Sequence, residues 1–173
     1  GLLRAGFSYL TDEAAAIDPD VGSVTPYPKA LHLDEGSWAL FPDLAPQPTD
    51  RRQSYVRTQW HVPPGRVGAR VASTVPLGAV VFPRYERGVA TALTPMSTAS
   101  ALVELIANCF NFAIHAGAQG LAAMAAVLAG ARCHRLAVGD LDRACRLLIE
   151  LDDDIADAEG ADEVPEHDRE ATQ

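Results

Sequence analysis

The sequence predicts an α/β or α+β fold, with a mixed sheet in the first half followed by two helices, a strand and a helix. Three observations predict it. Up to Phe82, short apolar runs alternate with clusters of Pro, Gly and Asp, the punctuation of strands and turns. From Ser97 onward, apolar residues recur at three- and four-residue spacing, the period of a helix with one buried face. Between two such stretches lies Arg132-Cys133-His134-Arg135-Leu136-Ala137-Val138, bounded by Gly130 and Gly139, which has the length and flanks of a strand.

The chain opens on Gly1-Leu2-Leu3-Arg4-Ala5-Gly6, the expected end of a helix stopped by glycine. The next run, Gly6-Phe7-Ser8-Tyr9-Leu10-Thr11-Asp12-Glu13, is expected to be a strand ending in two adjacent carboxylates. Alternation places Phe7, Tyr9 and Thr11 on one side of it and Ser8, Leu10 and Asp12 on the other. In α/β sheets ligands bind at the carboxyl ends of strands. A carboxylate there is placed to hold Mg²⁺ beside a nucleotide phosphate; a strand that simply ends in a solvated turn leaves the same pattern.

Ala14-Ala15-Ala16-Ile17 and Ser23-Val24-Thr25 flank Asp18-Pro19-Asp20-Val21-Gly22. Pro sets φ and Gly permits positive φ, so residues 14 to 25 are expected to form a β-hairpin. Pro26 and Pro28 mark an edge or bend. Ala30-Leu31-His32-Leu33 is a further short strand, and Asp34-Glu35-Gly36-Ser37 a turn before Trp38. Ala45 to Arg57 is loop-like, with Arg51 and Arg52 as candidate phosphate contacts or solvated charges. Tyr55 to Val62 is an expected strand; His61, beside Trp60, is taken as a packed or exposed residue.

Leu77-Gly78-Ala79-Val80-Val81-Phe82 is the strongest strand, a nearly continuous apolar run suited to a sheet covered on both faces. It is expected to end at Pro83-Arg84-Tyr85-Glu86-Arg87-Gly88, where Arg84 is a candidate for gripping a phosphate or for pairing with Glu86. Ser97 caps a helix running to about His115, with Asn111 and His115 on one face. Ala118 to Leu128 is a second, alanine-rich helix. Asp140 caps the last, which carries Leu141, Ala144, Leu147, Leu148, Leu151 and Ile155. Asp152, Asp153 and Asp154 oppose its dipole, so it is expected to fray there. Residues 1–155 are therefore read as one domain and 156–173 as an acidic disordered tail.

In order, Arg4-Ala5-Gly6-Phe7-Ser8-Tyr9-Leu10-Thr11-Asp12-Glu13, Pro26-Tyr27-Pro28-Lys29-Ala30-Leu31, Val81-Phe82-Pro83-Arg84-Tyr85 and Phe110-Asn111-Phe112 form a set of phrases. The set resembles the HPr kinase/phosphorylase-like family, in particular shorter bacterial homologues described as serine kinases of the HPr type. The resemblance runs from Gly1 to about Leu151. It implies a P-loop kinase fold of the phosphoenolpyruvate carboxykinase-like type, and Mg-dependent phosphoryl transfer from ATP to a serine hydroxyl of a protein or peptide. It gives Asp12 the Mg²⁺, and Asp12 or Glu13 the role of base toward the acceptor. Arg84 and Lys29 become candidates for phosphate charge. The classical family carries two aspartates here, so Glu13 departs from it. No G-x-x-x-x-G-K-[ST] loop occurs in the chain, which is expected to be a piece of something longer, truncated before the first strand. The competing expectation is a non-catalytic remnant or binding domain, possibly in peptide maturation.

Composition bounds these readings. The net charge is −9, but ten acids and one base fall between Asp152 and Gln173, so the rest of the chain is neutral. The body thus has no electrostatic case for nucleic acid. No apolar run approaches a membrane span of about 20 residues. The cysteines Cys109, Cys133 and Cys145 form no C-x-x-C pair, and an odd number at these spacings points to reduced thiols and the cytoplasm. A homo-oligomer is compatible with all of this.

Overall fold

In the computed structural model, the described residues are 1–47, 58–110 and 117–162. Among them lie three sheets and three α-helices, a mixed α/β arrangement. No helix among the described residues is long and apolar enough to cross a membrane.

The hairpin forms where turn chemistry requires it. β1 (Ala16–Asp18) pairs antiparallel with β2 (Ser23–Thr25). Asp18 Oδ1 accepts from Asp20 N at 2.9 Å, the Asp18 carbonyl accepts from Gly22 N at 2.9 Å, and Gly22 takes φ 62°, a conformation glycine adopts without cost. β2 also pairs with β5 (Val75–Pro76). The second sheet is β3 (Leu31–Asp34) against β4 (Gln59–Val62), antiparallel, with His32 opposite His61. The expected strand start at Tyr55 lies outside the described residues.

The third sheet has the order β6-β8-β7. β6 (Ala79–Tyr85) runs parallel to β8 (Arg132–Val138), and β7 (Ala92–Pro95) runs antiparallel to it. α1 (Thr98–Ala107) and α2 (Ala118–Ala129) cover one face. There Ala101, Leu128 and Cys133 are buried, with Val80, Phe82, Met96, Leu102 and Leu105 packed around them. α3 (Leu141–Asp162) takes the other face: Arg132 Nη2 donates to the Asp154 carbonyl at 3.0 Å, and Leu136, Ala144 and Leu151 are buried. Ser97 caps α1, its hydroxyl accepting from Ser100 N at 3.2 Å. Asp140 caps α3, its Oδ1 accepting from Arg143 N at 2.7 Å.

Five expectations are corrected. Residues 6–13 do not form a strand; Tyr9 alone makes a β-bridge, parallel to Val71, its backbone donating to Arg70 O at 2.7 Å and accepting from Ala72 N at 3.0 Å, and among the described residues no second bridge follows to extend it into a ladder. β6 continues through Pro83 to Tyr85, so Arg84 lies within a strand rather than beyond its end; β6 is the terminal strand of its sheet, where proline is tolerated. Residues 77–82, expected to be covered on both faces, are half-buried throughout rather than buried. α1 stops at Ala107, where Asn108 N reaches back to the Leu105 and Ile106 carbonyls; Asn111 and His115 lie outside the described residues. α3 passes the three aspartates and reaches Asp162, beyond the boundary expected at 155. Its inner stripe prevails over the dipole penalty of about 0.3–1 kcal/mol per charge, since Leu151 is buried and Ile155 packs against Gly78. The tail from 163 lies outside the described residues.

Candidate functional site

Although residues 6–13 make no strand, they are stitched in from two sides. Tyr9 is 4% exposed, and its hydroxyl donates to the Lys29 carbonyl at 2.8 Å. The Leu10 carbonyl accepts from Tyr27 N at 3.0 Å. Asp12 Oδ2 accepts from His32 N at 2.8 Å, and Glu13 Oε2 is ion-paired with Lys29 Nζ. The segment therefore lies along Tyr27 to His32, and Asp12 occupies the backbone donor that a neighbouring strand would otherwise take from the outer edge of β3.

Electrostatics follow from these contacts. The Lys29 hydrogen bond, then its charge, hold the Glu13 carboxyl below its ordinary range, with smaller help from His32 and His61. The same bond to Glu13 holds the Lys29 ammonium above its ordinary value. Burial, then the Asp12 charge, raise the Tyr9 phenol. Glu13 is thus kept ionised as a partner for Lys29, and a carboxylate with lowered proton affinity makes a poor general base. Lys29 is the only lysine of the sequence.

Asp12, Glu13 and Lys29 come together; Arg84 does not join them. It belongs to the β6-β8-β7 sheet, opposite Ala137 and exposed. Alternation along β6 places it on the face of Val80 and Phe82, toward α1. Arg135, on that same face of β8, is ion-paired with Glu104 of α1. Arg51 and Arg52 lie outside the described residues. An open depression of about 370 Å³, lined by Val21, Leu77, Arg132 and Ile155 among others, includes none of the four candidates.

Sequence reasoning took His61 singly, as packed or exposed, and did not bring it to His32. Pairing of β3 with β4 stacks His32 on His61, with ring centroids 5.4 Å apart and planes 24° from parallel. His32 Nε2 lies 3.2 Å from Asp34 Oδ1. The signal was present as alternation: His32 and Asp34 fall on the exposed face of β3, Leu31 and Leu33 on the other. The 29 positions separating the two histidines hid their meeting.

Asp12 is exposed, and only its Oδ2 is engaged by the His32 amide. A hard carboxylate oxygen of this kind suits Mg²⁺, which is held by one or two carboxylates while water and phosphate supply its remaining ligands. Among the described residues, no three His, Cys, Asp or Glu side chains gather into a cage for a metal ion. No protein-family model, curated protein or solved structure matches this chain.

Proposed function

We propose that Asp12 and Glu13 belong to the site of an ATP- and Mg²⁺-dependent kinase resembling HPr kinase/phosphorylase, with a P-loop kinase, phosphoenolpyruvate carboxykinase-like fold, that acts in the cytoplasm on a serine hydroxyl of a protein or peptide. One observation carries the reading. Two phrases of the resemblance, residues 4–13 and 26–31, lie against each other through Tyr9 Oη to Lys29 O, the Glu13–Lys29 pair and Tyr27 N to Leu10 O, with Asp12 to His32 N adjoining. Asp12 would hold the ion. When bound, Mg²⁺ neutralises phosphate charge. Asp12 rather than Glu13 is left to accept the hydroxyl proton, since the Lys29 ammonium lowers the proton affinity of Glu13.

A second reading, a non-catalytic binding domain, is favoured by the chemistry of the only lysine: it is engaged with Glu13, and no phosphate-cradling G-x-x-x-x-G-K-[ST] occurs in the 173 residues. Transfer of radiolabelled phosphate from Mg-ATP to serine peptides, by the protein in its natural reading frame, separates the two. The kinase reading expects Mg-dependent transfer; its absence with a folded protein would support the binding domain. Millimolar Mg-ATP should leave the melting temperature of the 173-residue chain unchanged, because phosphate affinity in P-loop sites comes from loop amides and a lysine. Saturation at 100 times Kd would add about 2.7 kcal/mol, so a shift of several degrees would reveal a phosphate site elsewhere in the chain.

A further inference from the structure

The exposed face of the β3–β4 sheet carries an arrangement that phosphoryl transfer does not use. His32 and His61 are directly opposite in an antiparallel pair. The outward-facing His32 amide, bonded to Asp12, makes this a non-hydrogen-bonded pair, the closer of the two cross-strand kinds, with Cα atoms about 4.5 Å apart. Both residues are exposed, so either ring can turn without disturbing a core. His32 Nε2 lies 3.2 Å from Asp34 Oδ1, which leaves Nδ1 as the ring nitrogen not in contact with that carboxylate. A carboxylate on the remote nitrogen is the usual support of a metal-bound imidazole. Among the described residues, the carboxylates of Asp12, Glu13 and Asp34 stand around the pair with the Lys29 ammonium.

We propose that His32 Nδ1 and one ring nitrogen of His61 chelate a divalent late first-row transition ion, Zn²⁺ or Ni²⁺, with Asp34 as the orienting carboxylate and water completing the coordination. Imidazole suits these ions, whereas Mg²⁺ prefers carboxylate and water oxygens, so this site is chemically distinct from one at Asp12. Zn–N bonds of about 2.0–2.1 Å require the stacked rings to rotate until both nitrogens face one point. Two protein ligands plus water also agree with the lack of a three-residue cage among the described residues.

Calorimetric titration of the 173-residue chain with Ni²⁺ and Zn²⁺ tests this. We expect saturable binding of one ion per chain, undiminished by excess Mg²⁺. Asp34→Asn should weaken it about tenfold, the lower end for loss of an orienting carboxylate, and His32→Gln and His61→Gln should each weaken it more. His115→Gln and His167→Gln should leave it unchanged. Electron paramagnetic resonance of the Cu²⁺-loaded wild type should show two coordinated imidazole nitrogens, a readout that needs no variant. A single nitrogen, unaltered affinity in either His32→Gln or His61→Gln, or no binding by the wild type would overturn the proposal. Kinase activity enters none of these readouts, so the site stands or falls separately from the function proposed above.

Discussion

Gly139 joins the end of β8 to the cap of α3, and the space around it decides what an alanine there would do. A methyl group built on Gly139 overlaps the Val89 carbonyl oxygen and lies 3.0 Å from Val89 C and 3.4 Å from Val89 Cγ1. Two of these are backbone atoms, which cannot swing aside as a side-chain end would. The turn that carries Val89 is held in place: Thr91 Oγ1 accepts from Gly139 N at 3.0 Å and from Asp140 N at 2.8 Å, and Glu86 N donates to Val138 O at 3.0 Å. Gly139→Ala must push the turn away and loosen one or two of these bonds. Overpacking costs about 1–3 kcal/mol and each lost hydrogen bond about 1 kcal/mol, so the expected destabilisation is about 2–4 kcal/mol. For a domain of this size that is roughly 4–16 °C in Tm. Gly130→Ala is the internal control. Gly130 has φ −92° and ψ −4° with nothing within 4 Å of an added Cβ, so alanine should be neutral or should stabilise by about 0.4–1 kcal/mol through the unfolded chain. Urea unfolding of both variants measures the difference. A Gly139→Ala protein within about 0.5 kcal/mol of wild type, the range of an inert surface change, would refute the reasoning, as would equal losses at the two glycines.

Leu128, 1% exposed between α1, α2 and β8, should lose about 3 kcal/mol on Leu128→Ala, read as a lowered urea midpoint with an unchanged slope. Asp12→Asn keeps an oxygen for the His32 amide, so its melting curve should match wild type while kinase turnover falls about a hundredfold, or about 2.7 kcal/mol; normal turnover would remove Asp12 from the site. The Glu13–Lys29 pair sets its own pH window. Glu13 has a lowered pKa, so its contribution is present above its unfolded value and disappears as pH falls through the folded one. Lys29 has a raised pKa, so its contribution is present below its unfolded value and disappears as pH rises through the folded one. A double-mutant cycle of Glu13→Gln and Lys29→Met should therefore show a coupling that is constant near neutrality, absent in acid and weakened by 1 M salt, which shortens screening to about 3 Å; coupling that persisted in acid would mean the two do not interact as ions.

Where local chemistry decides conformation, the sequence alone was enough. The Asp18–Gly22 turn, the Ser97 and Asp140 caps and the bounds of β8 follow from φ preferences and short-range hydrogen bonds that any context would permit. The tertiary structure decided what rests on remote partners. Residues 6–13 carry a strand's pattern, yet a ladder needs successive bridges to one neighbour, and only Tyr9 makes a bridge. α3 outruns its aspartates because burial of Leu151 and the contact of Ile155 with Gly78 outweigh a surface dipole term. β7 passed unnoticed because its four residues gain strand geometry only from β8. In the candidate site, adjacency made Asp12 and Glu13 legible, and their bonding to His32 and Lys29 was not. The register of β3 against β4 alone sets His32 upon His61: a shift of one residue would separate them, since side chains alternate faces with period two, and no residue near either histidine encodes that register by itself.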